Sequence, residues 1–263
     1  MSQHDGQRYL LMGSSSGMGK AVALELARRG GSAILAARNR SELERVQTRC
    51  QELAPHKDQR FEICTIDFLD PASPGRMAEF LGKTNEGLNG ILVNGGGPHG
   101  ESPTDLKAEQ MDTAHSLLFK GPVLHLQAAF PVLAQEASIV AITSTTVMEP
   151  SPFLTLSGAY RSALTSYLKG LSESLGSRQI RVNAIAPGFI DTDKLNDLRT
   201  SEAQALGVST AEVNTMWAAR SRLNRIGTAE EIAHLACFLF SRECTFLTGQ
   251  VLVADGGQVR SIR

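Results

Sequence analysis

A glycine-rich turn near the start of the chain has the composition of a phosphate-binding loop. It follows the apolar run at 9–12 and contains Gly13, Ser15, Ser16, Gly17, Met18 and Gly19. Glycines let a backbone approach a pyrophosphate closely, and the free N–H groups at a helix N-terminus attract its negative charge. Because a helical pattern follows from Ala21, the turn joins a strand to a helix. This context favours dinucleotide binding over an ordinary tight turn.

The end of the second apolar run, at 33–37, carries another candidate phosphate contact. A carboxylate here would accept hydrogen bonds from the ribose 2′-OH of NAD. The chain instead has Arg38, followed by Asn39. A guanidinium pairs with a 2′-phosphate through charge-assisted hydrogen bonds. NADP(H) is therefore the favoured cofactor, and NAD(H) is the alternative if Arg38 is a solvated loop residue.

Short apolar runs alternate with longer amphipathic runs along the chain. The predicted strands are 9–12, 33–37, 61–66, 90–93, 138–142, 180–186 and 251–253; the predicted main helices include 21–29, 41–53, 111–133, 156–175 and 229–240. Ser41 is the predicted N-cap of the second helix, with Glu44 as its capping-box partner. Alternation of strands and helices indicates a parallel sheet covered on both faces. We predict one doubly wound α/β domain over 1–263, with seven parallel strands and about six main helices.

Several motifs together resemble the short-chain dehydrogenase/reductase (SDR) family. The glycine turn has the spacing GxxxGxG, Asn94-Gly95-Gly96-Gly97 ends the fourth strand, and Asp67 ends the third. The segment 180–188 is similar to the one that leads into the family's proline-glycine turn, and Asp191-Thr192 follows it. The resemblance covers essentially the whole chain and implies a Rossmann-type fold with a nicotinamide cofactor. Besides the glycine turn and Arg38, it implies cofactor contacts at Asp67, Phe68, Asn94, Gly95, Gly96, Arg161, Pro187, Gly188, Ile190 and Thr192.

The resemblance breaks at the catalytic residues. SDR enzymes use a serine, a tyrosine thirteen residues later and a lysine four residues after the tyrosine. Ser144 occupies the serine position, but Ser157 and Arg161 stand in the tyrosine and lysine positions. Counting back from the segment at 180–183 gives the same register. The family's helix asparagine is replaced by Leu118.

Tyr160 is a nearby phenol outside this register. Its i+4 residue is Leu164, which cannot help it to ionise. A serine hydroxyl is a much weaker acid than a phenol, and a general acid works best when its pKa lies near the working pH. Arg161 stays charged and is suited to bind ribose hydroxyls. Its charge is spread over a planar guanidinium, whereas that of a lysine is concentrated on one ammonium group. Tyr160 either reaches the site from an unusual angle or is a packing residue.

Three functions fit this set of residues. In the favoured one, a reductase adds hydride to an activated C=C of an enone type, because the resulting enolate needs only hydrogen-bond donors such as Ser144 and Ser157. An olefin-reducing SDR of bacilysin-type antibiotic biosynthesis resembles the chain in this respect. The second is a carbonyl reductase or alcohol dehydrogenase with a rearranged donor such as Tyr160. The third is a cofactor-binding protein without turnover, acting as a sensor or scaffold.

Two further regions are expected to border the substrate. His99 follows the fourth-strand turn and is interpreted as a donor to a substrate anion or an acid, with an exposed loop residue as the alternative. His115 either faces the site or packs. Residues 193–226 are the expected substrate lid, with Met216 and Trp217 as an apolar wall. Its basic residues, Lys194, Arg199, Arg220 and Arg222, either suit a carboxylate or phosphate or are surface charges.

Composition narrows the classes of partner. The 263 residues carry a formal net charge of -1, and without a basic stripe no nucleic-acid partner is expected. We find no apolar run of about 20 residues, so no membrane span is expected. Four cysteines without CxxC spacing indicate no metal site and suit a reducing compartment. A polar start predicts a cytoplasmic protein with a small-molecule substrate, and the family resemblance implies a homotetramer or homodimer.

Overall fold

The central strands are continuous apolar runs, because a parallel sheet is covered on both faces. The computed structural model describes residues 3–83, 86–97 and 103–261. Within them, the strands are β1 Arg8–Met12, β2 Ser32–Ala37, β3 Phe61–Thr65, β4 Leu88–Asn94, β5 Leu133–Ile142, β6 Arg181–Pro187, β7 Ile190–Asp191, β8 Gly227–Thr228 and β9 Val251–Ala254. Seven of these form one parallel sheet in the order β3-β2-β1-β4-β5-β6-β9, and β7 pairs with β8.

Helices cover both faces of this sheet. They are α1 Gly17–Arg28, α2 Arg40–Leu53, α3 Ser73–Gly82, α4 Ala108–His115, α5 Gly121–Ala129, α6 Thr155–Leu175, α7 Asp193–Leu206, α8 Thr210–Arg220 and α9 Ala229–Phe240. Alternate residues of β1 point to opposite faces: Leu11 belongs to the apolar cluster with α1, α2 and α9, and Leu10 to the cluster with α3, α5 and α6. The predicted Rossmann-type doubly wound fold with a seven-stranded parallel sheet is confirmed.

The strand order reverses at β1, which lies between β2 and β4. Leu11 is in register with Leu35 on one side and with Leu92 on the other. Open α/β sheets bind ligands at the carboxyl ends of the strands around such a reversal. The glycine turn follows β1 and therefore lies at that point of the sheet.

The predicted helix at 111–133 is wrong as one continuous element. A π-helical turn, Ser116–Lys120, separates α4 from α5, and Leu133 already belongs to β5. The amide of Gly121 donates to the carbonyl of Ser116, five residues back. Pro122, which follows directly, has no N–H to donate, so the regular i→i−4 ladder is interrupted next to this turn.

The predicted cap of α2 is also wrong. Asn39 is the N-cap, and its side-chain oxygen accepts hydrogen bonds from the amides of Ser41 at 3.1 Å and Glu42 at 3.3 Å. Ser41 already lies in the first helical turn, and Glu44 pairs with Arg40 at 3.0 Å. Asparagine competes well with serine as a cap, so the helix starts one residue earlier than expected.

The structure also bears on membrane and metal binding. In the part of the chain that is described, no helix is long and apolar enough to cross a bilayer. The same residues contain no group of three or more histidine, cysteine or acidic side chains arranged for a metal ion. All four cysteines are buried and free.

The packing of α9 on the sheet depends on the missing side chain of Gly90. A Cβ there would lie 2.7 Å from a ring carbon of Phe240 and 2.9 Å from one of Tyr9. We expect Gly90→Ala to lower the free energy of unfolding by about 1–3 kcal/mol, because both rings must move. Urea denaturation followed by circular dichroism measures this.

Gly82→Ala is the matched control, since a Cβ at Gly82 meets nothing within 4 Å. Its unfolding free energy should stay within about 0.5 kcal/mol of the parent. Equal losses in the two variants would contradict the packing explanation.

Candidate active site

A cavity of about 690 Å³ opens at the carboxyl ends of the central strands. All but one of the predicted cofactor residues line it: Gly13, Ser15, Ser16, Gly17, Met18, Arg38, Asp67, Phe68, Asn94, Gly95, Gly96, Arg161, Pro187, Gly188, Ile190 and Thr192. Ser144 and Ser157 line it as well. The exceptions among the predicted site residues are Gly19 and Tyr160.

The glycine turn is locked to the end of β4. Gly13 has a φ of +73°, and a Cβ on it would lie 1.9 Å from the carbonyl oxygen of Asn94. A Cβ on Gly19 would lie 2.0 Å from the carbonyl oxygen of Gly13. The Asn94 side-chain amide donates to that same carbonyl at 2.9 Å. Gly19 therefore packs behind the turn, and the cradle that remains suits a group as close-fitting as a pyrophosphate.

A buried network supports the loop after β3. The amide of Asp67 donates to Ser73 Oγ at 2.9 Å, and Ser73 Oγ lies 2.9 Å from Nε2 of His125. Nδ1 of His125 faces the carbonyl of Gly121 at 2.8 Å, so Nδ1 donates and Nε2 accepts. Phe68 packs edge-on against the His125 ring. Sequence reasoning missed His125, since a lone histidine in an apolar helix carries no signal.

Burial keeps this imidazole neutral. It lowers the pKa of His125 below its ordinary value, and the hydrogen bond to Gly121 opposes only part of that effect. A neutral ring can accept from Ser73, whereas a doubly protonated ring cannot. The network therefore holds the Asp67–Phe68 loop against the cavity at neutral pH.

Arg161 cross-links three elements around the cavity. Its guanidinium donates to Ser157 Oγ at 3.2 Å, to the carbonyl of Ile142 at 3.0 Å and to the carbonyl of Gly95 at 2.8 Å. Burial lowers the pKa of Arg161 to about 10, so it remains charged at neutral pH. A guanidinium has five N–H donors, and three protein contacts leave others for a ligand.

Two serine hydroxyls face the cavity beside this cation. Ser157 is buried and accepts from Arg161, while Ser144 Oγ accepts from the amide of Thr146 at 3.2 Å. A hydroxyl that accepts still has its own proton to donate. The site thus has two neutral donors, one of them polarised by a partly buried positive charge.

Tyr160 is not among the described residues that line the cavity. Its ring packs against His115 at a centroid distance of 5.4 Å, and His115 stacks on Phe119 at 5.8 Å. Residues three apart on a helix are neighbours on its surface, so the contact with His115, and not helical spacing, accounts for the position of the Tyr160 ring off the cavity. The packing interpretation therefore fits both Tyr160 and His115. Leu118 is buried in the π-helical turn.

The segment between β7 and β8 spans the expected lid. Trp217 does not form part of the cavity wall: it is fully buried and stacks on Phe189 at 4.6 Å. Arg199 lies over the Trp217 ring and Arg220 over the Phe189 ring. The segment instead brings Asp193, Lys194, Leu195 and Leu198 to the cavity. His99, the other predicted substrate contact, lies outside the described residues.

The fold agrees with the comparisons to known proteins. The chain belongs to the short-chain dehydrogenase/reductase family: the family model described as Enoyl-(Acyl carrier protein) reductase matches residues 13–258. The NADPH-dependent reductase BacG of Bacillus subtilis (strain 168) is 28% identical over 257 residues, which cover 96% of this chain and 97% of BacG. The 7alpha-hydroxysteroid dehydrogenase of Escherichia coli (strain K12) is 28% identical over 266 residues, covering 98% and 96%.

Solved structures give the same fold. YwfH, an NADPH dependent reductase involved in bacilysin biosynthesis, has a TM-score of 0.89 and 25% identity, covering 97% of this chain and 99% of that one. L-sorbose reductase from Gluconobacter frateurii, complexed with NADPH and L-sorbose, has a TM-score of 0.91 with full coverage of both chains. Its 22% identity makes this a likeness of fold.

Arg161 should stabilise the fold because its planar guanidinium donates to three groups at once. In Arg161→Lys an ammonium cannot reach Ser157, Ile142 and Gly95 together. We expect a loss of about 1–3 kcal/mol in the free energy of unfolding, because buried acceptors are left unpaired. Arg49→Lys is the control: Arg49 pairs with Glu52 on the surface, and its replacement should cost less than about 0.5 kcal/mol. Denaturant titration compares them, and an unchanged Arg161→Lys midpoint would contradict the cross-linking role.

Proposed function

We propose that the chain is an NADP(H)-dependent reductase that adds hydride to an activated C=C of a small-molecule substrate. The observation that carries the proposal is the Arg161–Ser157 pair beside Ser144, in a cavity whose described lining includes no phenol and no imidazole. Such a lining stabilises an anion by hydrogen bonding and positive charge without a tyrosine.

Cofactor binding is supported by the residues around the cavity. The glycine cradle accommodates the diphosphate, and Arg38 is an exposed cation at the end of β2, where a 2′-phosphate would be recognised. BacG and YwfH are both described as NADPH-dependent; BacG matches nearly the whole chain in sequence, and YwfH has the same fold over 97% of it. Bound NADP(H) supplies the hydride.

The protein's own residues then act on the oxygen of the substrate. In conjugate reduction the hydride reaches the β-carbon, and negative charge develops on the carbonyl oxygen as the enolate forms. Ser144 and Ser157 donate hydrogen bonds to that oxygen, and the charge of Arg161 strengthens the Ser157 donor. Protonation of the α-carbon by water completes the addition of two hydrogens. Simple ketone reduction transfers a proton to the oxygen itself, a step for which Ser157 is a poor acid.

We further propose that α7 and α8 form the substrate lid over residues 193–226. Leu195 and Leu198 present an apolar surface to the cavity, while the aromatic stack of Trp217 and Phe189 holds the segment together. Assembly as a homotetramer or homodimer remains a prediction, which sedimentation tests.

The donor assignment predicts different effects at two neighbouring positions. Ser157→Ala should lower kcat for an enone by about 100-fold, since loss of one oxyanion donor typically has that effect. Tyr160→Phe should leave kcat within about twofold, because the hydroxyl lies off the cavity. The loss of NADPH absorbance in the presence of enones and matched ketones measures the kcat of both variants.

If Tyr160→Phe alone abolishes activity, or ketones are the better acceptors, a carbonyl reductase with a rearranged donor is supported. Tight NADPH binding without turnover on any acceptor would support the sensor or scaffold alternative.

Arg38 should set the choice between the two nicotinamide cofactors. We expect Arg38→Leu to weaken NADPH binding by about tenfold or more, through loss of a charge-assisted contact to the 2′-phosphate, and to leave NADH binding unchanged. Arg40→Leu is the control, because Arg40 pairs with Glu44 away from the cavity. Calorimetric titration of the parent and the two variants with NADPH and NADH gives the six dissociation constants. Tighter binding of NADH than of NADPH by the parent protein would refute the NADP(H) assignment.

A further inference from the structure

Lys194 reaches across the cavity from the first turn of α7. Its Nζ donates to the carbonyl of Gly97 at 2.6 Å. A Cβ on Gly96 would lie 3.1 Å from the same nitrogen. The ammonium is therefore held against the backbone after β4, on the wall opposite its own helix.

This ammonium is poorly matched to its surroundings. The pKa of Lys194 is lowered to about 8, chiefly by desolvation and also by the nearby charges of Arg161 and Arg38, while Asp197 opposes them. Within the described residues, no carboxylate forms an ion pair with Lys194. A backbone carbonyl is a weaker partner for a cation than an anionic oxygen. The position thus favours an anion that enters the cavity.

The start of α7 also lies against the glycine turn. A Cβ on Gly17 would come within 3.4 Å of Cγ2 of Thr192, and Thr192 caps α7 by accepting from the amide of Leu195. The same turn is the cradle for the diphosphate in the proposed function. Lys194 therefore extends from the edge of that cradle to its opposite wall, whereas Arg38 stands at the end of β2.

We propose that Lys194 is a cationic strap that closes over the diphosphate bridge of the bound dinucleotide. On binding, its ammonium exchanges the Gly97 carbonyl for phosphate oxygens and draws the start of α7 onto the cofactor. Because NADP(H) and NAD(H) both contain the diphosphate, Lys194 contributes equally to the binding of either cofactor. Only Arg38 binds the 2′-phosphate. This inference rests on the proposed dinucleotide site.

Lys194→Met tests the strap, since methionine keeps much of the stem and removes the charge. We expect the dissociation constants of NADPH and NADH to rise by the same factor, about tenfold, through loss of one charge-assisted contact. Lys194→Arg should recover most of the affinity. Lys169→Met is the matched control: Lys169 also donates to a glycine carbonyl, that of Gly249, but outside this cavity, and both constants should stay unchanged.

A pH profile adds a readout that simple loss of structure would not give. A bound diphosphate raises the pKa of Lys194 above its value of about 8 in the free protein. The strap's contribution is then complete below pH 8 and declines as the pH rises through the higher pKa of the bound form. Arg161, with a pKa of about 10, also faces the cavity, but it is present in both the parent and Lys194→Met. The parent's affinity for NADH should therefore fall more steeply above pH 8 than that of Lys194→Met.

Three results would overturn the inference. A loss confined to NADPH in Lys194→Met would assign the lysine to the 2′-phosphate. Unchanged dissociation constants with a lower kcat would assign it to the substrate. No dinucleotide binding by the parent protein would refute the proposed function together with the strap, whereas the first two results leave that function intact.

Discussion

The close contact among Gly13, Gly19 and Asn94 is the constraint on which the site depends. The backbone of β1, the end of β4 and the first turn of α1 approach so closely that a Cβ at either glycine would overlap a carbonyl oxygen. The Asn94 amide bridges the same point. Because the strand order reverses here, this contact fixes both the position of the cradle and the direction in which α1 leaves it.

The part of the cavity around Ser157 is organised by a different interaction, the hydrogen bonds of the Arg161 guanidinium. In the family a lysine stands in this position, and a lysine's flexible ammonium needs few fixed partners. The guanidinium instead joins α6 to β5 and to the loop after β4. One residue thereby contributes charge, a hydrogen bond to Ser157 and a structural cross-link. Ser157 is short enough to accept a hydrogen bond from Nε of Arg161.

Local spacing was a good guide where the chain is regular. The register from Ser144 to Arg161 could be counted from sequence, because both residues are tied to predicted elements, and the structure places them on one cavity. The same reasoning failed at Pro122, where a missing N–H turns a regular helix into a π-helical turn. It also failed at Trp217, because periodicity cannot distinguish a residue that lines a cavity from one that packs in the core.

From the sequence alone, the order of strands and helices, the glycine-rich turn after the first strand, the arginine at position 38 and the spacing of Ser144, Ser157 and Arg161 could be established, because these depend on residue type and spacing. The tertiary structure alone decided that Tyr160 packs on His115, that His125 supports the loop after β3, and that Lys194 crosses the cavity to Gly97. These contacts join residues that lie far apart in the chain or depend on which way a side chain turns. Their geometry is set by the packing of helices on the sheet, which no local pattern records.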